Sequence, residues 1–218
     1  MLTSVTTETQ ASSDPKRPAP RRRKSRHTRE EMLTQAAELF AERGYRVTSL
    51  SDLADRIGIA KATLFHHFRT KEEILFELYT QAMELATARI RAVDQSDDEP
   101  SVVLRGMFRE HTLLILDNRT LFTIFFSEES ELTEPHAAAV RTQQADYINI
   151  IAARVSQLID SGKIKRSVHP RLAVQICLGA GSWTYRWVEP GASRRDADLS
   201  SEEIASTVAD VMLDGLFD

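Results

Sequence analysis

Lys61, Ala62, Thr63, Phe65, His66 and His67 occupy the outward positions of a short helical segment whose Leu64, with Phe68 just after it, has the spacing of an inward anchor. Before it lies Gly58-Ile59-Ala60, a tight turn, and before that a second short segment with Leu50, Leu53, Ala54 and Ile57 facing inward. Two short helices joined by a three-residue turn containing glycine make a helix-turn-helix. Apolar contacts must lock its first helix across its second, so that the second enters a DNA major groove about 12 Å wide. Ala54 supplies the small side chain needed at the crossing, Gly58 permits the turn, and Ile59 plugs the core beneath it. The six outward residues would then face double-stranded DNA. Adjacent histidines can also suggest a metal, but neighbours on a helix point apart and no third ligand stands at metal spacing. No metal or cofactor is expected. No Gly-rich phosphate loop, Gly-x-Ser-x-Gly elbow or His-Glu-x-x-His run accompanies them, so no enzyme is expected either.

The elements that position this motif are helical throughout. From Thr28, the residues Met32, Leu33, Ala36, Ala37, Leu39 and Phe40 form one apolar stripe, stopped by Gly44. Thr48-Ser49 are hydroxyl residues suited to capping the next helix. A longer helix begins near Lys71 and runs to about residue 92. After the charged break 94–100, the periodicity predicts helices over about 101–116, 119–126, 135–161, 170–188 and 202–217. No alternating β-branched run is long enough for a sheet. The expected architecture is all-α, about nine helices, divided into an arm (1–27), a DNA-binding unit (28–74) and a larger unit (75–218).

Charge divides the chain the same way. Residues 1–71 hold 14 basic against 8 acidic side chains, and residues 72–218 hold 14 against 24, within a net charge of −4. A basic front suggests a polyanion partner; an acidic body suggests self-association or ligand binding. Between Lys16 and Arg26 there are seven basic residues and no acid. That segment, Arg22 and Arg23 included, reads either as an arm tracking phosphates and a minor groove or as a solubilising tail; the helix-turn-helix beside it favours the arm. No run of 18 apolar residues spans a bilayer and the first ten residues lack a secretory pattern, so no membrane partner and a cytoplasmic location are expected. The single cysteine, Cys177, has no intrachain disulfide partner and reads as a buried filler.

The runs Ala37-Glu38-Leu39-Phe40-Ala41-Glu42-Arg43-Gly44-Tyr45, Thr48 to Ala54, Gly58 to Phe68 and Lys71-Glu72-Glu73 closely resemble the tetracycline-repressor (TetR) family over about residues 28–75. The resemblance implies dimeric binding to a palindromic operator, as a repressor released by a small molecule. It implies that Lys61, Ala62 and Thr63 meet base edges: lysine at guanine or a phosphate, the two methyl groups at thymine. It implies that Thr48 and Ser49 hold a phosphate with their hydroxyls and helix N-terminal N–H groups, and that His66 and Lys71 contact phosphates. Two departures stand out. Ala60 replaces the usual capping serine, which costs about 1 kcal/mol, and Phe65 replaces a common tyrosine, removing a hydroxyl.

In the C-terminal half, Trp183, Arg186 and Trp187 share one side of a helix, downstream of the small-residue stretch Gly179-Ala180-Gly181-Ser182. Each glycine costs up to about 1 kcal/mol in a helix, which a closely approaching second helix would offset. Together with the last amphipathic helix (Ile204, Val208, Val211, Met212, Leu216) this reads as a dimer interface, two helices per subunit. The tryptophans either pack there or line a ligand pocket. The stretch 181–187, with Pro190-Gly191 and 199–204, is similar to TetR-like regulators of fatty-acid and sterol breakdown, which respond to acyl-CoA thioesters. Apolar runs 113–116, 121–126 and 148–151 could line an acyl tunnel, and Arg109, Arg119 and Arg186 could meet phosphates. Arg109, Phe122, Phe125, Ile148, Trp183, Arg186 and Trp187 are therefore the expected effector residues, with plain core packing the alternative for each apolar one. A drug- or free-fatty-acid-responsive regulator and an effector-independent DNA-binding protein are the competing readings.

Overall fold

The computed structural model describes residues 28–188 and 199–214, and every regular element among them is a helix. The N-terminal unit opens with α1 (Arg29–Arg43). Thr28 starts it with a reciprocal capping box: its hydroxyl accepts from the Glu31 N–H, and the Glu31 carboxylate accepts from the Thr28 N–H. Two donors that the helix leaves unpaired are thereby satisfied. Ser49 and Asp52 build the same device at the start of α2 (Leu50–Ile57). The turn to α3 (Lys61–His67) pivots on Gly58, whose φ of 78° is left-handed backbone and costs an L side chain about 1–2 kcal/mol. Ala54 is fully buried beside it, and Arg56 straps α2 to α1 through Glu42 at 2.7 and 2.9 Å.

α4 (Lys71–Asp94) begins against this unit and continues without a break into the C-terminal one. The boundary expected at residue 74 thus falls inside a shared helix. The C-terminal unit comprises α5 (Pro100–Asp117), α6 (Arg119–Ser127), a single 3-10 turn Glu129–Glu131, α7 (Glu134–Asp160), α8 (Pro170–Ser182), α9 (Thr184–Trp187) and α10 (Ser201–Asp214). α5 is its centre, packed against α4, α7, α8 and α10.

The helix expected over 170–188 is divided at Trp183. Thr184 is fully buried and its hydroxyl donates to the Gly181 carbonyl at 2.7 Å, a local bond that competes with the helical ladder where Gly179 and Gly181 already weaken it. Gly181 is also where α8 meets a neighbour closely. A Cβ there would stand 2.7 Å from Thr112 Oγ1 and 3.1 Å from the His111 ring. The close approach expected of these glycines is therefore made, at Gly181, by α5 of the same chain. Gly179 faces open space. The arm with Arg22 and Arg23, the loop segment 189–198 with Pro190-Gly191, and residues 215–218 with Leu216 lie outside the described residues.

Candidate functional site

The sequence of α3 alternates between anchoring and presenting. Leu64 and Phe68 are fully buried, while Lys61, Ala62, Thr63, Phe65 and His66 are exposed and His67 is half-buried. Ala60 caps α3 without any side-chain bond. Arg29 fastens the far end: it bonds to the Glu77 carboxylate, donates to the His67 carbonyl at 2.6 Å, and lies 4.2 Å over the Phe68 ring. Val47, which sequence reasoning passed over, is 76% exposed and adds an apolar contact point just before α2. The His66 and His67 rings meet edge to face, and no group of His, Cys, Asp or Glu suited to a metal occurs among the described residues.

Two residues expected at phosphates are occupied elsewhere. Thr48 is buried, and its hydroxyl donates to the Gly44 carbonyl at 2.8 Å, closing the α1–α2 turn. Ser49 remains at the exposed mouth of α2, with its hydroxyl donating to Asp52 at 2.6 Å; that bond holds the Asp52 carboxyl below its ordinary range. Lys71 turns inward. Its ammonium donates to the Tyr45 and Arg46 carbonyls at 2.6 and 3.1 Å and stands 4.2 Å over the Tyr45 ring. Burial pulls its pKa below the usual lysine value. Lysine here closes the turn before α2 from a position 25 residues away. Lys71→Met should accordingly lower stability by about 1–2 kcal/mol, the scale of hydrogen bonds from a charged donor. Chemical denaturation would measure the loss, and binding to a set of variant operators should keep its rank order.

The next residue joins the two units. Glu72 Oε1 accepts from the Thr133 N–H at 2.9 Å, the Thr133 hydroxyl at 3.1 Å and His136 Nδ1 at 2.7 Å, all at the start of α7. Burial alone would raise the Glu72 pKa, but these bonds outweigh it and the carboxyl is held low. The His136 ring stacks on Phe76 with centroids 3.9 Å apart, and Arg46 pairs with Glu131 at 2.7 Å. Periodicity carried no sign of this joint.

The expected effector residues do not form one site. Arg109 is ion-paired on the surface with Glu110 and Glu202. Phe122 and Phe125 are core, the latter stacked on Tyr79 at 4.7 Å, and Ile148 is partly buried at the edge of the same core. Trp183 and Trp187 are 58% and 51% exposed, with the Arg186 guanidinium 5.4 Å from the Trp183 ring. They continue an exposed apolar stripe from Leu172 and Ile176, beside a groove of about 420 Å³ that Met212 of α10 helps to line. The buried polar groups are different residues. His111 lies between α7 and α8: the Tyr147 hydroxyl donates to Nδ1 at 3.0 Å, and Nε2–H donates to the Leu178 carbonyl at 3.2 Å, which fixes the tautomer because a carbonyl only accepts. Burial pushes His111 down to about 4 and the Tyr147 hydroxyl up. A histidine two residues before the apolar run 113–116, on a helix, was the available signal.

Residues 32–78 match the family described as bacterial regulatory proteins, tetR family, and residues 97–216 match the tetracyclin repressor-like C-terminal domain. The chain belongs to the TetR family. Both halves of this TetR-family regulator are matched, well beyond residues 28–75, and its all-α architecture is that of the family. It is 26% identical over 189 residues to the transcriptional repressor KstR2 of Mycobacterium tuberculosis, covering 86% of this chain and 94% of the relative. The solved structure of that ketosteroid regulator superposes with a TM-score of 0.76 at 27% identity, covering 90% and 97% of the two chains. The fatty acid metabolism regulator protein of Bacillus subtilis is 23% identical over 187 residues, 85% and 94% of the chains. AibR, solved in complex with isovaleryl coenzyme A and operator DNA, gives a TM-score of 0.73 at 28% identity, covering 86% and 97%. No helix among the described residues is long and apolar enough to cross a membrane.

Proposed function

We propose that this regulator is a homodimeric repressor that binds a palindromic operator and is released by an acyl-CoA thioester. The likeness to AibR carries the effector class, because it extends over 86% of the chain and that protein was solved with both an acyl-CoA and its operator. In this reading Lys61, Ala62, Thr63 and Phe65 meet base edges, while Ser49, His66 and the arm with Arg22 and Arg23 meet phosphates. The exposed stripe Leu172, Ile176, Trp183 and Trp187 packs against its symmetry mate, with Gly179 and Ala180 allowing the backbones to approach. Thr48 and Lys71 support the reading helix from within. The protein works in the cytoplasm, where it meets DNA, and catalyses no reaction.

An effector acts only through a difference in affinity between two states. Coupling of about 1–3 kcal/mol gives a 5- to 150-fold loss of operator affinity at saturation. Fluorescence anisotropy of labelled operator, titrated with acyl-CoAs of graded chain length, measures it, with free fatty acid and free CoA as controls. Release by a cationic drug or a free fatty acid, with no response to any thioester, would overturn the effector class. Release by nothing tested would favour an effector-independent DNA-binding protein.

A further inference from the structure

Two buried polar atoms in the C-terminal unit, Thr80 Oγ1 on α4 and Gln143 Oε1 on α7, have no hydrogen-bonding partner. Their helices run side by side in the same direction: Glu72 meets Thr133 and His136 at one end, and Asp94 meets Arg154 at 2.7 Å at the other. Between those ends, Phe76 of α4 stacks directly on His136 of α7. Thr80 lies four residues beyond Phe76 and Gln143 seven beyond His136, so each keeps to the face its predecessor turns toward the other helix. At 1.5 Å per residue they stand about 6 and about 10 Å past the stacked rings, within one helical turn of each other. Tyr147, four residues past Gln143 on the same face of α7, is bonded to buried His111. A polar strip thus runs through an otherwise apolar interior, satisfied at its His111 end and open at its Thr80 end.

Buried polar atoms without partners oppose folding, and apolar residues of the same shape would avoid that cost. A hydroxyl that can donate and accept, beside an amide oxygen that can only accept, is complementary to one ligand group. We propose that Thr80 and Gln143 form the polar end of the effector site and hold a hydroxyl on the acyl part of the ligand. The ligand hydroxyl donates to Gln143 Oε1 and accepts from the Thr80 hydroxyl. This rests on the acyl-CoA reading above and narrows it from any acyl chain to an oxygenated one. A group bound there lies between α4 and α7, two turns from the Glu72 joint, and so bears on the helix that the DNA-binding unit shares.

The test uses the full chain, labelled operator, and two sets of thioesters: positional isomers of a hydroxyacyl-CoA, and the unsubstituted acyl-CoA of the same length. In the wild-type protein, one hydroxyl isomer should release operator at a concentration roughly ten-fold below the unsubstituted chain, the discrimination expected of one paired hydroxyl. Thr80→Val and Gln143→Leu should each erase that preference while retaining release by the unsubstituted chain. Both variants should keep or raise the thermal midpoint of the free protein, which separates a ligand role from a structural one. Equal release by both thioester sets in the wild-type protein overturns this inference and leaves the acyl-CoA reading standing. So does a preference that survives both substitutions. Failure of every thioester to release operator overturns the acyl-CoA reading, and this inference falls with it.

Discussion

The Gly179→Glu variant should be a folded monomer that binds operator at least about a hundred-fold more weakly than the wild-type protein. A Cβ added at Gly179 meets nothing within 4 Å, so the substitution leaves the protomer's own packing untouched. The same face carries Leu172, Ile176 and Ala180 of α8 and, just past its end, Trp183, at helical spacing and all exposed. If a second copy covers that face, the glutamate is trapped unpaired in an apolar contact, a cost of several kcal/mol that a dimer does not survive. Losing the second half-site contact removes an effective-concentration gain of about 10²–10⁴. Sedimentation velocity and circular dichroism would establish monomer and fold, and anisotropy the affinity. A tight-binding Gly179→Glu dimer would remove the proposed interface. It would not disturb the assignment of α3 to DNA.

Between pH 6.5 and 5 the protein should lose about 2 kcal/mol of stability through one side chain, rising to about 3 kcal/mol by pH 4. His111 is the group, its pKa lowered by burial to about 4 in the folded state. An unfolded chain returns it to about 6.5, so the unfolded state binds the extra proton first. The stability is therefore fully present above pH 6.5 and declines as pH falls toward 4. The carboxylates held low in the fold, such as Glu72 and Asp52, act only below their unfolded range and so leave the upper window to the histidine. Urea unfolding at pH 7 and pH 5 measures the difference. His111→Gln should flatten it, and an unchanged pH dependence would mean that the imidazole is free to titrate in the fold.

The helix-turn-helix was legible because its information is local. The inward positions of α2 and α3 and the glycine turn follow from spacing within 20 residues, the missing cap at Ala60 from comparison with the family's pattern, and the structure reproduces each. What escaped depends on neighbours that periodicity does not place, most of them brought in from far along the chain. Thr48 and Lys71 carry the right groups for a phosphate, but Gly44 and the Tyr45-Arg46 carbonyls compete for them at shorter range. Arg109 looked available until α10 supplied Glu202. The break at Trp183 needed the packing of Gly181 against α5 to be known. Thr80 and Gln143 carry no sequence signal at all, since a polar residue at a helix position is ordinary until its neighbours are placed.

A helix of 24 residues is also a rod about 36 Å long. α4 is anchored to the start of α7 through Glu72 and to the α1–α2 turn through Lys71, adjacent residues at one tip. The remaining length lies along α5 and α7 inside the C-terminal unit. Pivoting such a rod by five degrees displaces its end by about 3 Å, the length of a hydrogen bond. In the proposed dimer, two protomers displaced in opposite senses would change the separation of their reading helices by about 6 Å, against a repeat of about 34 Å between successive major grooves. A hydrogen bond to a base edge holds over a range of only about half an ångström. Gearing of this kind means that, in the proposed dimer, the interior need open by no more than about 3 Å, the displacement of the rod's end, for both half-sites to fall out of register.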